Sequence, residues 1–491
     1  MKTFTGSVTQ DVVDSFYLQD QLLAFPEIKK KFIHQQCEQR DFTLLMLTFG
    51  YGRAISDADL KKDKMQIADR RIQWTIQTRL RELISFDATP AGAQGAGDTS
   101  INITLKESWP STGMVLLVQN GEGGWQNLVL TSEGTPNGGA FDYTAKLQTN
   151  DAAETFDVSF IADGTKVGWG WSLDAFCGDG ATKTPFKSLD WYINYTTLIK
   201  QTREICKDGI QTALWIEGED GTLCYAPMEE HQQFFHFLFS IEFAGWYGTS
   251  TYNSSGVVIV TDAQGNLLPA GDGILMQVSS GNVITWVISD YDQESEYAAF
   301  RDLVEVTVLT WAIDNGYDAD SVELHCYAGL FAFALWQKAL INFLNQPGGC
   351  CYMNYETGEM VQAGINISSY KFAGFVIHLH KCSSFNNKGV HGANYLNTTV
   401  PLESYRFILM PDTNCDGEPL IQCYFRGGCG VSSAYTHTVI PGTVDPTQLG
   451  QTSVKGASKK RGYEIVDESE FVFILSDPSK MLVFQPATTG S

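Results

Sequence analysis

Ile101-Asn102-Ile103-Thr104-Leu105 and Met114-Val115-Leu116-Leu117-Val118 open the stretch from Asp98 to Asn150, and the reading of that stretch decides the architecture. Both runs carry the β-branched and aliphatic residues that suit a pleated strand. Leu128 to Leu130 and Tyr143 to Leu147 continue the pattern, and Gly121, Gly123, Gly124, Gly134, Gly138 and Gly139 punctuate the junctions. The pattern reads as a long β arm with no core of its own. A two-stranded ribbon alone is only marginally stable in water. Such an arm is expected to lie on something larger, its own chain or a neighbour. That points to assembly before chemistry.

The rest of the composition fits a folded chain. At 491 residues it can bury several cores, so roughly two to four domains are expected. It is 43% hydrophobic and 18% charged, which excludes a disordered chain. A net charge of −23 argues against a surface built to grip nucleic acid tightly, which needs a basic footprint. Met1 to Asp20 is polar and lacks an apolar signal core. The nearest membrane-like window, Phe234 to Tyr247, is short and interrupted by His236 and Glu242. The 11 cysteines are odd in number and hold no Cys-x-x-Cys pair, so reduced thiols in a cytoplasm are expected.

Outward from the arm, Ser56 and Asp59 resemble a capping box. Ile72, Ile76, Leu80, Leu83 and Ile84 repeat at helical spacing after it. This predicts a helix with a basic remainder that includes Arg70, Arg71, Arg79 and Arg81. A solvated face explains such a run, and a surface turned toward a polyanion is the alternative. Beyond the arm come Val167 to Trp171, Trp191-Tyr192, and a helix-sized segment starting near Pro227 with apolar residues on two faces. From Gly271 the pattern becomes mixed α/β. Strands are expected at Ile274 to Val278, Val283 to Ile288, Val322 to Cys326, Phe372 to Leu379, Tyr405 to Met410 and Leu420 to Phe425. Helices fall over Tyr297 to Trp311 and Ala328 to Leu344. Gly442 to Gly462 reads as loop, and Phe471 to Leu475 and Met481 to Phe484 as final apolar runs.

The sequence holds no Gly-x-Ser-x-Gly elbow, phosphate loop, Gly-x-Gly-x-x-Gly or His-Glu-x-x-His. Three weaker constellations remain. His378 and His380 share a strand face near Cys382 and His391, but a zinc site needs more than this spacing shows. Asp412-Thr413-Asn414-Cys415-Asp416-Gly417 begins like a calcium loop, yet Cys423 stands at position twelve, so a strand-connecting turn is the cheaper reading. Glu217, Glu219 and Asp220 precede Gly221 and read as a hairpin turn.

In order, these parts resemble the major capsid protein of tailed bacteriophages, the Hong Kong-type shell fold, and within it the capsid proteins of crAss-like phages. The resemblance rests on Ile103-Thr104-Leu105-Lys106-Glu107-Ser108-Trp109 leading to Phe141-Asp142-Tyr143-Thr144, on Asn194-Tyr195-Thr196-Thr197, on Gly271-Asp272-Gly273-Ile274-Leu275, and on Pro401-Leu402-Glu403-Ser404. It spans the chain from about Gly50 onward. It implies an α+β fold with an N-terminal arm (1–65), a helix plus extended β-hairpin E-loop (66–165), and a P-domain (166–265) with a long spine helix near 227–247. An A-domain (266–440) and a C-terminal return to the P-domain (441–491) complete it. The implied protein is not an enzyme and needs no cofactor, metal or catalytic residue. It self-assembles into hexamers and pentamers of an icosahedral head around double-stranded DNA, inside a bacterial cytoplasm and away from membranes. Expected partners are portal, scaffold and auxiliary or decoration proteins. Trp109, Trp125, Phe141 and Tyr143 are the expected intersubunit contacts, and Arg70, Arg71, Arg79 and Arg81 the expected DNA-facing residues. Two rival functions are a monomeric β-rich carbohydrate-binding protein, stacking sugars on Trp109, Trp125, Trp169 and Trp171, and a hydrolase using scattered carboxylates.

Overall fold

The computed structural model describes residues 31–33, 42–49, 66–76, 83–88, 94–96, 100–119, 124–149, 151, 153–156, 162–173, 189–206, 215–218, 221–291, 294–317, 322–345, 369–392, 400–414, 417–428, 431–432, 434–441 and 462–488. It is a mixed α+β chain in two compact units, Thr75–Trp191 and a body made of Met1–Trp74 with Tyr192–Ser491.

Two six-stranded sheets dominate the described residues of the body. In the first, strand order runs Val283–Val287, Leu482–Ala487, Phe407–Met410, Glu323–Ala328, Phe375–Lys381, Ser369–Phe372. Helices Tyr297–Asn315 and Leu330–Asn345 pack on it, because Phe300, Val304, Val308 and Trp311 fall at helical spacing on one face. Those residues join Trp286, Trp336, Phe407 and Phe484 in one core. The second sheet centres on Gly462–Leu475, which pairs with Thr197–Cys206 along one side and with Thr436–Pro441 and Ile421–Gly428 along the other. The 23-residue helix Tyr225–Tyr247 lies against it, burying Phe237, Leu238, Ile241 and Trp246. A chain that is apolar on two helix faces is thus packed into the body's own core. The last strand, Leu482–Ala487, sits in the first sheet and not beside Thr197–Cys206.

Four expectations require correction, three of them local. No helix covers residues 66–76: Gln66–Ile67 and Arg71–Ile76 are strands. Arg71-Ile72-Gln73-Trp74-Thr75-Ile76 alternates polar and apolar, and a residue spaced four from another satisfies period 2 as well as period 3.6. Ser56, Asp59 and Leu80 lie outside the described residues. Ile274–Gln277 is a short helix, not a strand, fixed by Gln277, whose side chain donates to the Asp272 and Phe473 carbonyls and accepts from the Leu475 amide. The run Phe372 to Leu379 is two strands joined at Ala373 and Gly374, both with positive φ.

The largest correction concerns the arm. Ile101–Leu105 pairs with Ile84–Ala88, that strand with Lys166–Ser172, that with Met114–Gln119, then Trp125–Leu130, then Ala140–Leu147. Ala140–Leu147 pairs back onto Ile101–Leu105, so six antiparallel strands close a ring. Thr135–Asn137 hangs on the outside of Ala140–Leu147. The four expected strands are present, but they belong to a barrel with a core, not to a coreless ribbon. The two strands that complete it, Ile84–Ala88 and Lys166–Ser172, come from outside Asp98 to Asn150.

Candidate functional site: the barrel and the polar junctions of the body

The barrel interior follows from period 2. Ile101, Ile103 and Leu105, then Met114, Leu116 and Val118, then Leu128 and Leu130, point inward from successive strands and exclude water. Ile84, Phe86, Ala145, Leu147 and Val167 fill the remaining volume. Tyr143 is the one inward phenol, and its hydroxyl donates to the Glu107 carbonyl at 3.1 Å. Gly134 makes room for that ring: a Cβ there would stand 2.6 Å from it. Burial, and then the charges of Glu133 and Glu107, push the Tyr143 hydroxyl up to about 12. Of the four residues expected to contact a neighbour, Tyr143 is therefore an interior residue. Phe141 is half-buried, and Trp109 is half-buried edge-on against Trp169 with ring centroids 5.9 Å apart. Trp125 is 61% exposed. The pair Trp109–Trp169 packs on itself and offers no open sugar platform.

In the body, two of the sequence landmarks meet as a single junction. The Asn194 side chain accepts from the amides of Tyr195 and Asp272, both at 2.8 Å, and donates to the carbonyls of Asp272 and Phe473 at 2.9 and 3.0 Å. All four capacities of the amide are used in a buried place. The Gly271 amide donates to Thr197 Oγ1, and any side chain at Gly271 would collide with the Tyr195 carbonyl. That close crossing is why the 271–275 motif starts with glycine.

Three buried carboxylates knit distant parts of the body. Glu470 accepts from Thr196 Oγ1 at 2.7 Å, Arg70 Nε at 3.0 Å and Arg426 Nη1 at 3.0 Å. Asp467 accepts from Gln233 Nε2, Tyr435 Oη and His437 Nδ1. Glu242 lies in the last third of the long helix. It receives the amides of Leu44 and Leu45 at 2.8 and 2.9 Å, Trp246 Nε1 at 2.8 Å and Ser384 Oγ at 2.8 Å. The first two are free N–H groups of helix Thr43–Phe49, so a side chain 198 positions away caps that helix. Burial raises the Glu242 carboxyl above its ordinary value, and the four donors pull the other way. Gly245 leaves the space that Leu44 and Phe473 occupy.

The basic cluster is divided. Arg70 is committed to Glu470, whereas Arg71 is exposed on strand Arg71–Ile76. Arg79 and Arg81 lie outside the described residues.

The weaker constellations resolve as follows. His378 and His380 do share one face of Phe375–Lys381, and the neighbouring strand adds His325, which sequence spacing could not reveal. His325 Nδ1 and His380 Nε2 stand 3.0 Å apart, and His325 Nε2 is 3.2 Å from Asp412. Burial lowers the basicity of both His325 and His380; neighbouring imidazoles add to the effect and the Asp412 carboxylate opposes it. Cys382 and His391 are elsewhere: Cys382 is buried in the body core, and His391 packs on Tyr247. Among the described residues no group of three or more His, Cys, Asp or Glu is placed to hold a metal ion. Asn414 bonds across to Glu418 in the turn between Phe407–Met410 and Ile421–Gly428, and Glu217 lies in hairpin Trp215–Gly218 with Gly221–Cys224. Among the described residues no helix is long and apolar enough to cross a membrane.

These features describe scaffolding: carboxylates capped by internal donors, and an apolar barrel. Residues 22–290, which is 269 of 491, match the family model described as Crassvirus major capsid protein. No curated protein matches the chain. Among solved structures, the capsid of cyanophage P-SCSP1u is similar at 10% identity, covering 65% of this chain and 82% of that one with a TM-score of 0.33. Mycobacterium phage Adephagia is similar at 12% identity, with 66% and 82% covered and a TM-score of 0.34. The capsid of a native GTA particle is similar at 10% identity, with 65% and 80% covered and a TM-score of 0.35.

Proposed function

The chain belongs to the Crassvirus major capsid protein family, and from that premise we propose that it closes an icosahedral head as hexamers and pentamers around double-stranded DNA. The family match over residues 22–290 carries this reading. It is a structural protein of the virion capsid. The finer assignments follow the same reading: an N-terminal arm over 1–65, an E-loop region within 66–165, a P-domain over 166–265 with Tyr225–Tyr247 as its spine, an A-domain over 266–440 and a C-terminal return over 441–491. The barrel is then an elaborated E-loop that borrows strand Lys166–Ser172 from beyond position 165 and brings its own core to the lattice. Support comes from its self-contained interior and from Trp125, whose ring stays open to a neighbouring subunit. Repetition of one heterologous contact around a closed ring gives the capsomer symmetry.

Arg71, with Arg79 and Arg81, is the basic group left to meet packaged DNA, touching phosphates without reading sequence. Arg70 serves the fold through Glu470. Assembly takes place in the host cytoplasm with portal, scaffold and decoration proteins as partners. Electron microscopy of the expressed chain is the test. Rings or closed shells are expected, and a chain that stays a small particle at every concentration overturns the reading.

A further inference from the structure

We propose that the segment Thr249 to Gly271 is a preformed apolar docking tab for a second copy of this chain. This rests on the shell reading above and names a surface that serves it. Three short passes form the tab. Residues 250–253 fold back on 257–259, with bridge Tyr252↔Val258, and 260–262 fold back on 266–268, with bridge Thr261↔Leu267. Each turn is locked by its own side chain. Asn253 Oδ1 accepts from the amides of Ser255 and Val257, and Asp262 Oδ1 from those of Gln264 and Asn266. Gly256 and Gly265 supply the positive φ that closes each turn. The root is equally fixed: Tyr252 stacks on Tyr195 with centroids 4.0 Å apart, and Thr251 Oγ1 accepts from the Ala270 amide and donates to the Leu268 carbonyl. Yet this ordered segment holds Val257, Ile259, Val260, Leu267 and Leu268 out in solvent, Ile259 at 66% and Leu267 at 58% exposure.

Charge identifies the occupant. Copies of a chain with net charge −23 repel one another, which favours contact through surface where charge is sparse. Between Thr249 and Gly271 the sole charged residue is Asp262, whereas the chain as a whole is 18% charged. The Asp262 carboxylate is engaged by the Gln264 and Asn266 amides and the Asn266 side chain within its own exposed turn. Apolar side chains on a rigid, nearly neutral tab meet a second copy without ordering cost and with little repulsion.

Sedimentation velocity and electron microscopy of the full chain test this with Ile259→Asp and Leu267→Asp, and with Ile259→Ser and Leu267→Ser, which remove the apolar group without adding charge. Thermal melting should match the parent in all four. The Asp variants are expected to need about tenfold or more higher concentration to assemble, and the Ser variants a smaller shift in the same direction. An assembling parent with variants that assemble at its own concentration overturns the tab alone. Variants that assemble normally but shed a different head protein from their particles also overturn it, by naming another occupant. A parent that never assembles brings down the shell reading and the tab with it.

Discussion

The barrel and the body both close on apolar cores, but they join distant parts of the chain by different means. Inside the barrel, inward aliphatic side chains fill the volume and antiparallel main-chain pairing closes six strands into a ring. In the body, a few buried polar side chains reach across the chain: Asn194 to Phe473, Glu242 to Leu44, Glu470 to Arg70. The first arrangement depends on volume and pattern, so it tolerates exchange of one aliphatic for another. The second depends on single atoms meeting single atoms, and one lost acceptor orphans several donors at once.

The sharpest way to break this contrast is Glu242→Ala. It strands two helix amides, an indole N–H and a hydroxyl in a buried place, and with about 1–3 kcal/mol for each buried donor left unsatisfied, a loss of several kcal/mol of body stability is expected. Hydrogen exchange should rise through Thr43–Phe49 and Tyr225–Tyr247 while the barrel keeps its protection. Barrel amides that lose protection to the same degree would show that the two regions do not differ as argued.

The converse is Leu116→Ala, which empties volume at the centre of the ring. A loss of about 3 kcal/mol is expected, read as faster exchange in Ile101–Leu105 and Trp125–Leu130 with the body unchanged. A cost near zero would mean that the interior is loosely filled.

The smallest effect is pH dependence at the histidine cluster. Burial holds His325 and His380 below the ordinary imidazole value of 6.5, so the unfolded chain binds protons there that the folded chain does not. Their contribution is fully present above that value and is lost as pH falls from it toward the folded values. Chemical denaturation across that window should show the parent weakening in acid. His325→Gln with His380→Gln should flatten the slope, and an unchanged slope would assign the acid sensitivity to other groups.

Legibility in the sequence follows the same division. The strands Ile101–Leu105 and Ala140–Leu147 were readable because alternation is a local property. Closure of the ring was not, since it depends on Ile84–Ala88 and Lys166–Ser172 returning from outside the stretch. The motifs at Asn194 and Gly271 were visible as separate words, but their meeting across 78 positions was not. Glu242 did leave a trace: it is the acid that interrupts the apolar run Phe234 to Tyr247. An acid in such a run marks a carboxylate whose partners lie elsewhere in the chain. The helix expected through Ile72 and Ile76 failed because four-residue spacing fits two periods. His325 joined the other histidines only through strand register.

Closure of the six-stranded ring has one further effect. A hairpin of the same sequence left open would present bare amides and carbonyls along its rim, a template on which any identical strand could add. With that rim sewn shut, the barrel meets another copy through side-chain surfaces, whose geometry sets angle and distance, and its six ring strands offer no rim for the indiscriminate strand addition that grows fibres.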